Sequence, residues 1–197
     1  KSSKVTESKG SWSSGASFID INDDGFQDIY VCRSYDSGIR GIQRNQLYIN
    51  NGDLTFTERA KEYGLDDAGF STQASYLDYD NDGDIDVFVA NHGLDFHRSD
   101  PTIRDKKWLD PDISESNHLY RNNGNNTFTD VTETAGLLSY DYTLGVITAD
   151  MNGDNLPDIY ISNDYEHPDK YYINNGDGTF KESLKESFKH ISYFSMG

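Results

Sequence analysis

Residues 18–31 read FIDINDDGFQDIYV, residues 76–89 read YLDYDNDGDIDVFV and residues 147–161 read ITADMNGDNLPDIYI. Each is an acidic loop leading into a β-branched and aromatic run: Ile29-Tyr30-Val31, Val87-Phe88-Val89 and Ile159-Tyr160-Ile161. Short runs of this kind bounded by Gly, Asn and Asp read as strands. A second motif follows each loop: LYINNGDLTFTE from Leu47, LYRNNGNNTFTD from Leu119 and YINNGDGTFKE from Tyr172. Asn51-Gly52, Asn123-Gly124 and Asn175-Gly176 are expected to supply the positive-φ residues of tight β-hairpins. Segments 58–64 and 130–136 carry weak helical character and are expected to be strand ends with a connecting turn.

Spacing separates the fixed parts of the repeat from the free ones. Gly52 to Asp78 and Gly124 to Asp150 are both 26 residues, whereas the stretch from acidic loop to hairpin differs in every copy. That stretch is an insertion-tolerant loop. An aromatic residue (Trp12, Phe70 or Tyr142) stands before each acidic loop, and Phe194-Ser195 matches the start of a fourth copy. Four strands per unit, repeated, predict an all-β fold: a β-propeller of four-stranded antiparallel blades. The blades are placed at about 10–66, 67–138 and 139–189, with the first strand of a further blade at 190–197. Propellers have roughly 4 to 8 blades, so the chain, which also opens on Lys1 without a methionine, is expected to be an excerpt whose neighbouring blades come from the rest of a longer protein.

The loops carry the chemistry. Asp20, Asn22, Asp24 and Asp28 occupy loop positions 1, 3, 5 and 9, as do Asp78, Asp80, Asp82 and Asp86, and Asp150, Asn152, Asp154 and Asp158. Alternate side-chain oxygens in a tight turn converge, and calcium takes about 6 to 8 hard oxygen ligands. The position-7 carbonyls of Phe26, Asp84 and Leu156 would add to each set. Gly25, Gly83 and Asn155 at position 6 suit a left-handed turn. An EF-hand needs Glu at position 12, where Val31, Val89 and Ile161 stand. The expectation is therefore about three structural Ca2+ sites clamping the first two strands of each blade, with Mg2+ the second choice.

Composition sets outer limits. Seventeen Lys and Arg against 34 Asp and Glu leave a net charge of −17, which repels nucleic acid and anionic lipid headgroups. No apolar run approaches the roughly 18 residues of a membrane span, so no direct membrane insertion is expected. The aromatic content of 13% is too high for a solvating acidic tail. A single cysteine, Cys32, forms no internal disulfide and reads as a small packed filler. The histidines show no metal-ligand spacing and no Gly-x-Ser-x-Gly elbow occurs, so the expectation is a non-enzyme.

DINDDGFQD, DYDNDGDID and DMNGDNLPD, each ahead of a paired-strand hairpin, resemble the FG-GAP/VCBS repeats of integrin α-subunit propellers and of large secreted or surface proteins of bacteria, some with an ASPIC/UnbV segment. The resemblance covers roughly residues 10–197. It implies a calcium-stabilised propeller at a cell surface or outside the cell, serving adhesion, ligand capture or assembly with a protein or glycan partner. A propeller-type polysaccharide lyase and a structural subunit of an outer-membrane surface complex are the alternatives. Asn155 replaces the usual loop glycine and neither Arg-Gly-Asp nor an ASPIC/UnbV segment stands in this excerpt, so an integrin-like partner is not carried over from the resemblance.

In a four-stranded meander the acidic loops and hairpins share one face, and the variable loops lie on the other. The longest variable loop gathers His92, His97, Arg98, Arg104, Lys107 and Trp108 in a very acidic chain. Long loops are frequent binding elements, and these residues are the expected ligand-binding patch.

Overall fold

The structure is a computed structural model that describes residues 3, 5, 11–36, 44–93, 113–164 and 167–189. Among the described residues twelve strands form three four-stranded sheets. The first holds β1 (Ser11–Ile19), β2 (Asp28–Asp36), β3 (Gln46–Asn50) and β4 (Phe56–Glu58). The second holds β5 (Ser71–Leu77), β6 (Asp86–Asn91), β7 (His118–Asn122) and β8 (Phe128–Asp130). The third holds β9 (Thr143–Ala149), β10 (Asp158–Asn163), β11 (Lys170–Asn174) and β12 (Phe180–Glu182). Strand order follows chain order and every pairing is antiparallel. These are three blades of a β-propeller, as the repeat predicts; residues 190–197 lie outside the described residues.

Strand periodicity explains how the blades stack. Side chains alternate across a sheet. On β6, Val87 and Val89 enter the core against the first blade, with Tyr30, Leu47 and Leu65. Phe88 and Ala90 enter the core against the third, with Val146, Ile159 and Ile161. All six residues of β6 are buried. Full burial of each large apolar side chain contributes about 1.5–3 kcal/mol, so the middle blade is held from both faces. The outward face of β1 instead leaves Trp12 and Phe18 each 69% exposed.

A polar lattice runs along the innermost strands. Ser17 Oγ and Tyr76 Oη are 2.5 Å apart, Ser75 Oγ and Thr148 Oγ1 are 2.8 Å apart, and Thr148 Oγ1 donates to the carbonyl of Tyr76 at 3.0 Å. One device recurs at the other end. Asn45 Oδ1 accepts the Arg33 N–H at 2.7 Å while its amide donates to Ser71 Oγ on the next blade at 2.8 Å. Asn117 repeats this with the N–H of Asn91 and with Thr143 Oγ1. Buried polar groups are tolerated only when paired, and here the pairing fixes the register of adjacent blades. Between them sits Asp67, buried, taking Tyr120 Oη–H at 2.7 Å and Gly69 N–H at 2.6 Å.

Two sequence expectations change. Segment 58–64 contains a short helix, α1 (Ala60–Tyr63), closed by Gly64 at φ 78°. Glu58 Oε1 accepts the Ala60 N–H at 2.9 Å and so satisfies one of the otherwise orphaned amides at its start. The third blade ends in the equivalent α2 (Leu184–Ser187), whereas 132–136 makes only turns. The hairpins also differ. The left-handed residues are Gly52 with Leu54, Gly124 with Asn126, and Gly176 with Gly178; Asn51, Asn123 and Asn175 are not among them. Asn51 N–H closes onto the Thr55 carbonyl at 2.9 Å, making a wider turn than a two-residue one, and Asp53 Oδ1 holds Thr55 N–H at 3.1 Å.

Candidate metal centres

Position 1 of each loop organises the turn. Asp20 accepts the N–H groups of Asp24 at 3.0 Å and Gly25 at 2.8 Å. Asp78 accepts those of Asp82 at 3.1 Å and Gly83 at 3.0 Å. Asp150 accepts those of Gly153 at 2.7 Å, Asp154 at 3.2 Å and Asn155 at 2.9 Å. The turn requires positive φ twice. Gly25, Gly83 and Asn155 supply it at position 6, at 85°, 93° and 70°. Asp23, Asn81 and Gly153 supply it at position 4, at 55°, 59° and 86°, a requirement the sequence reading missed. Asn, Asp and Gly are the residues that enter this region at least cost, which is the signal that position 4 carried.

Position 9 ties each loop to its hairpin. Asp28, Asp86 and Asp158 are fully buried. Asp28 accepts Ile21 N–H at 3.2 Å and Asn50 N–H at 2.7 Å. Asp86 accepts Tyr79 N–H at 3.0 Å and Asn122 N–H at 2.8 Å. Asp158 accepts Met151 N–H at 3.3 Å, Asn174 N–H at 3.0 Å and Tyr171 Oη–H at 2.7 Å. Acidic loop and hairpin therefore share one face of each blade. Phe26 and Leu156 at position 7 lie on the hairpin glycines Gly52 and Gly176, and Asp84 Oδ2 lies at Gly124.

Electrostatics single out the middle loop. Asp78, Asp80 and Asp86 bring carboxylate oxygens within 4.8 Å of one another. Burial, with repulsion from Asp80 and Asp82 behind it, pushes the Asp86 carboxyl up to about 7. Burial and the neighbouring Asp82 and Asp78 raise Asp80 as well. Asp28 is raised by burial, with Asp24 and Asp20 adding to it. Asp150, exposed and held by backbone N–H groups from Asn155 and Gly153, is lowered. Asp80 Oδ1 is buried with no hydrogen-bond partner among the described residues. An acceptor taken from water without a donor is costly, and a hard cation placed there would offset that cost.

Between the first and second loops lies a cleft of about 320 Å³, lined by Asp20, Asn22, Asp23, Asp84, Asn122 and Asn126. On the opposite face, His92 of the expected ligand patch sits 5.2 Å from the Tyr142 ring, itself 4.9 Å from His167. His97, Arg98, Arg104, Lys107 and Trp108 lie outside the described residues. Beneath His167, Asp141 accepts from its Nδ1 at 2.7 Å and from Lys170 Nζ at 2.6 Å.

A family model described as FG-GAP-like repeat matches residues 20–89, 108–161 and 150–196. The chain belongs to the FG-GAP-like repeat family. Its matched segments begin on or run through the acidic loops. No curated protein matches the sequence. A solved lectin structure from Agrocybe aegerita, described as specifically recognising non-reducing terminal N-acetylglucosamine, is similar at 20% identity and a TM-score of 0.43, covering 90% of this chain and 37% of that one. The chain thus spans little more than a third of that protein's length.

Proposed function

We propose that this FG-GAP chain is a calcium-stabilised propeller module that works at a cell surface or outside the cell as a binding, adhesion or assembly platform for a protein or glycan. The observation that carries the calcium reading is the buried, unpartnered Asp80 Oδ1 inside a group of carboxylates whose register recurs in all three blades. The oxygen-only donor set suits a hard cation. Asp20, Asn22, Asp24 and Asp28 would hold one ion, Asp78, Asp80, Asp82 and Asp86 a second, and Asp150, Asn152, Asp154 and Asp158 a third. A bound ion supplies positive charge that offsets the repulsion within each loop. The residues of the chain do the rest: position 9 locks the loop to the hairpin, and the hairpin carries the blade's outer strands. Calcium sites of extracellular modules work at about 10⁻⁴–10⁻³ M, which favours an extracellular address.

Thermal melting in calcium and in excess chelator tests this. A ligand at a hundredfold its Kd stabilises by about 2.7 kcal/mol per site, so Tm is expected to rise by several degrees in calcium. Equal melting temperatures in the two buffers refute the calcium reading.

A further inference from the structure

We infer that the three loops are unequal, and that the middle loop, residues 78–86, is the tight calcium site that fills before the other two. This rests on the calcium reading above and concerns what the residues of this chain do to it.

The difference lies at position 3. Asn22 donates its Nδ2–H to Asp24 Oδ2 at 2.9 Å, and Asn152 donates its own to Asp154 Oδ2 at 2.8 Å. In the first and third loops an amide hydrogen therefore already sits on the carboxylate at position 5, where a cation has to draw. Those loops are satisfied from within. The middle loop has Asp80 there, with no hydrogen to give, and its Oδ1 is buried without a partner among the described residues. Positions 1, 3, 5 and 9 carry four carboxylates in the middle loop and three in each of the others. More ligand charge with fewer internal donors means a larger gain on binding a divalent ion.

Position in the fold adds a consequence. Loop residue Tyr79 packs in the core shared with the third blade, and its carbonyl accepts the Asn174 amide from that blade at 2.8 Å. Asp86 begins β6, whose side chains enter both cores. Ordering the middle loop therefore bears on both seams between the described blades.

Calorimetric titration of calcium into the chelator-stripped protein tests the ranking. One tight step is expected, followed by two steps weaker by about tenfold, a gap set by one ligand charge. Asp80→Asn, which installs the residue the other loops already use, is expected to weaken the tight step about tenfold. The same variant should melt higher than the parent in chelator and lower in calcium, a crossover independent of the titration. Asn152→Asp should create a second tight step. Three ions bound with one common affinity, or a tight step unchanged by Asp80→Asn, overturns the ranking and leaves the calcium reading standing. No binding at any loop overturns both.

Discussion

Removing the Asp158 carboxylate separates the structural role of position 9 from any part in holding an ion. In excess chelator, Asp158→Ala takes away the acceptor for three donors: Asn174 N–H at 3.0 Å, Tyr171 Oη–H at 2.7 Å and Met151 N–H at 3.3 Å. The first two bonds are buried and the third is partly open to water. A buried donor left without a partner costs about 1–3 kcal/mol, so two of them give a loss of roughly 2–6 kcal/mol. Urea unfolding followed by far-ultraviolet circular dichroism reads this as a fall in midpoint at constant slope. Asp158→Asn keeps one acceptor and should lose about half as much. Tyr171→Phe removes one of the donors, so combined with Asp158→Ala it should cost less than the two single losses added together. An Asp158→Ala midpoint within about 1 kcal/mol of the parent, without calcium, would refute the claim that this side chain holds loop and hairpin together.

Two further outcomes follow from the blade seams. A Cβ added at Gly15 would stand 2.7 Å from the Thr72 carbonyl oxygen on the next blade, whereas one at Gly25 meets nothing within 4 Å; Gly15→Ala should therefore lose about 1–3 kcal/mol by overpacking and Gly25→Ala about 1 kcal/mol from its φ of 85° alone, with the reverse order of urea midpoints counting against close packing of the blades. The buried ion pairs limit stability at both ends of the pH scale. Burial opposes the charged His118 ring, but Asp130 at 2.8 Å and Asp67 at 3.8 Å outweigh it and raise its pKa above 6.5, so its contribution is complete below 6.5 and lost as pH rises through the raised value. Burial works against the Asp141 carboxylate too, yet His167 and Lys170 hold it down to about 2 from 3.8; that contribution, about 2 kcal/mol at roughly 1.4 kcal/mol per pKa unit, is present above 3.8 and lost as pH falls toward 2. Urea midpoints across pH should show both arms, with His118→Gln reducing the alkaline one and leaving the loss that the raised Asp86 carboxyl contributes as pH rises toward about 7.

Much of the fold is legible in the chain because it repeats. Three copies of one loop and one hairpin motif locate the inner strands and the four-strand unit. Local chemistry was less transparent. The hairpins place positive φ at Leu54 and Asn126 because Asp53 and Asn125 side chains bind Thr55 and Thr127 and reshape the turn, a preference that Asn-Gly alone does not convey. Likewise α1 forms because Glu58 supplies the first-turn acceptor and Gly64 the left-handed exit, although four residues have little helix propensity of their own.

The sequence by itself determined which residues face one another within a blade and which oxygens gather in each loop, since both depend on short spacings: a period of two along strands and alternate positions in a turn. Only the tertiary structure decided what passes between blades and which loop oxygens are taken out of water. Tyr120 meets Asp67 across 53 residues, and Asn174 reaches the Tyr79 carbonyl across 95. No local pattern encodes such pairs, because they exist only once separate sheets have been packed face to face. The burial of the Asp80 oxygen is of the same kind: the carboxylate and its lack of a hydrogen to give were visible in the chain, but its removal from water follows from the blade packed around it.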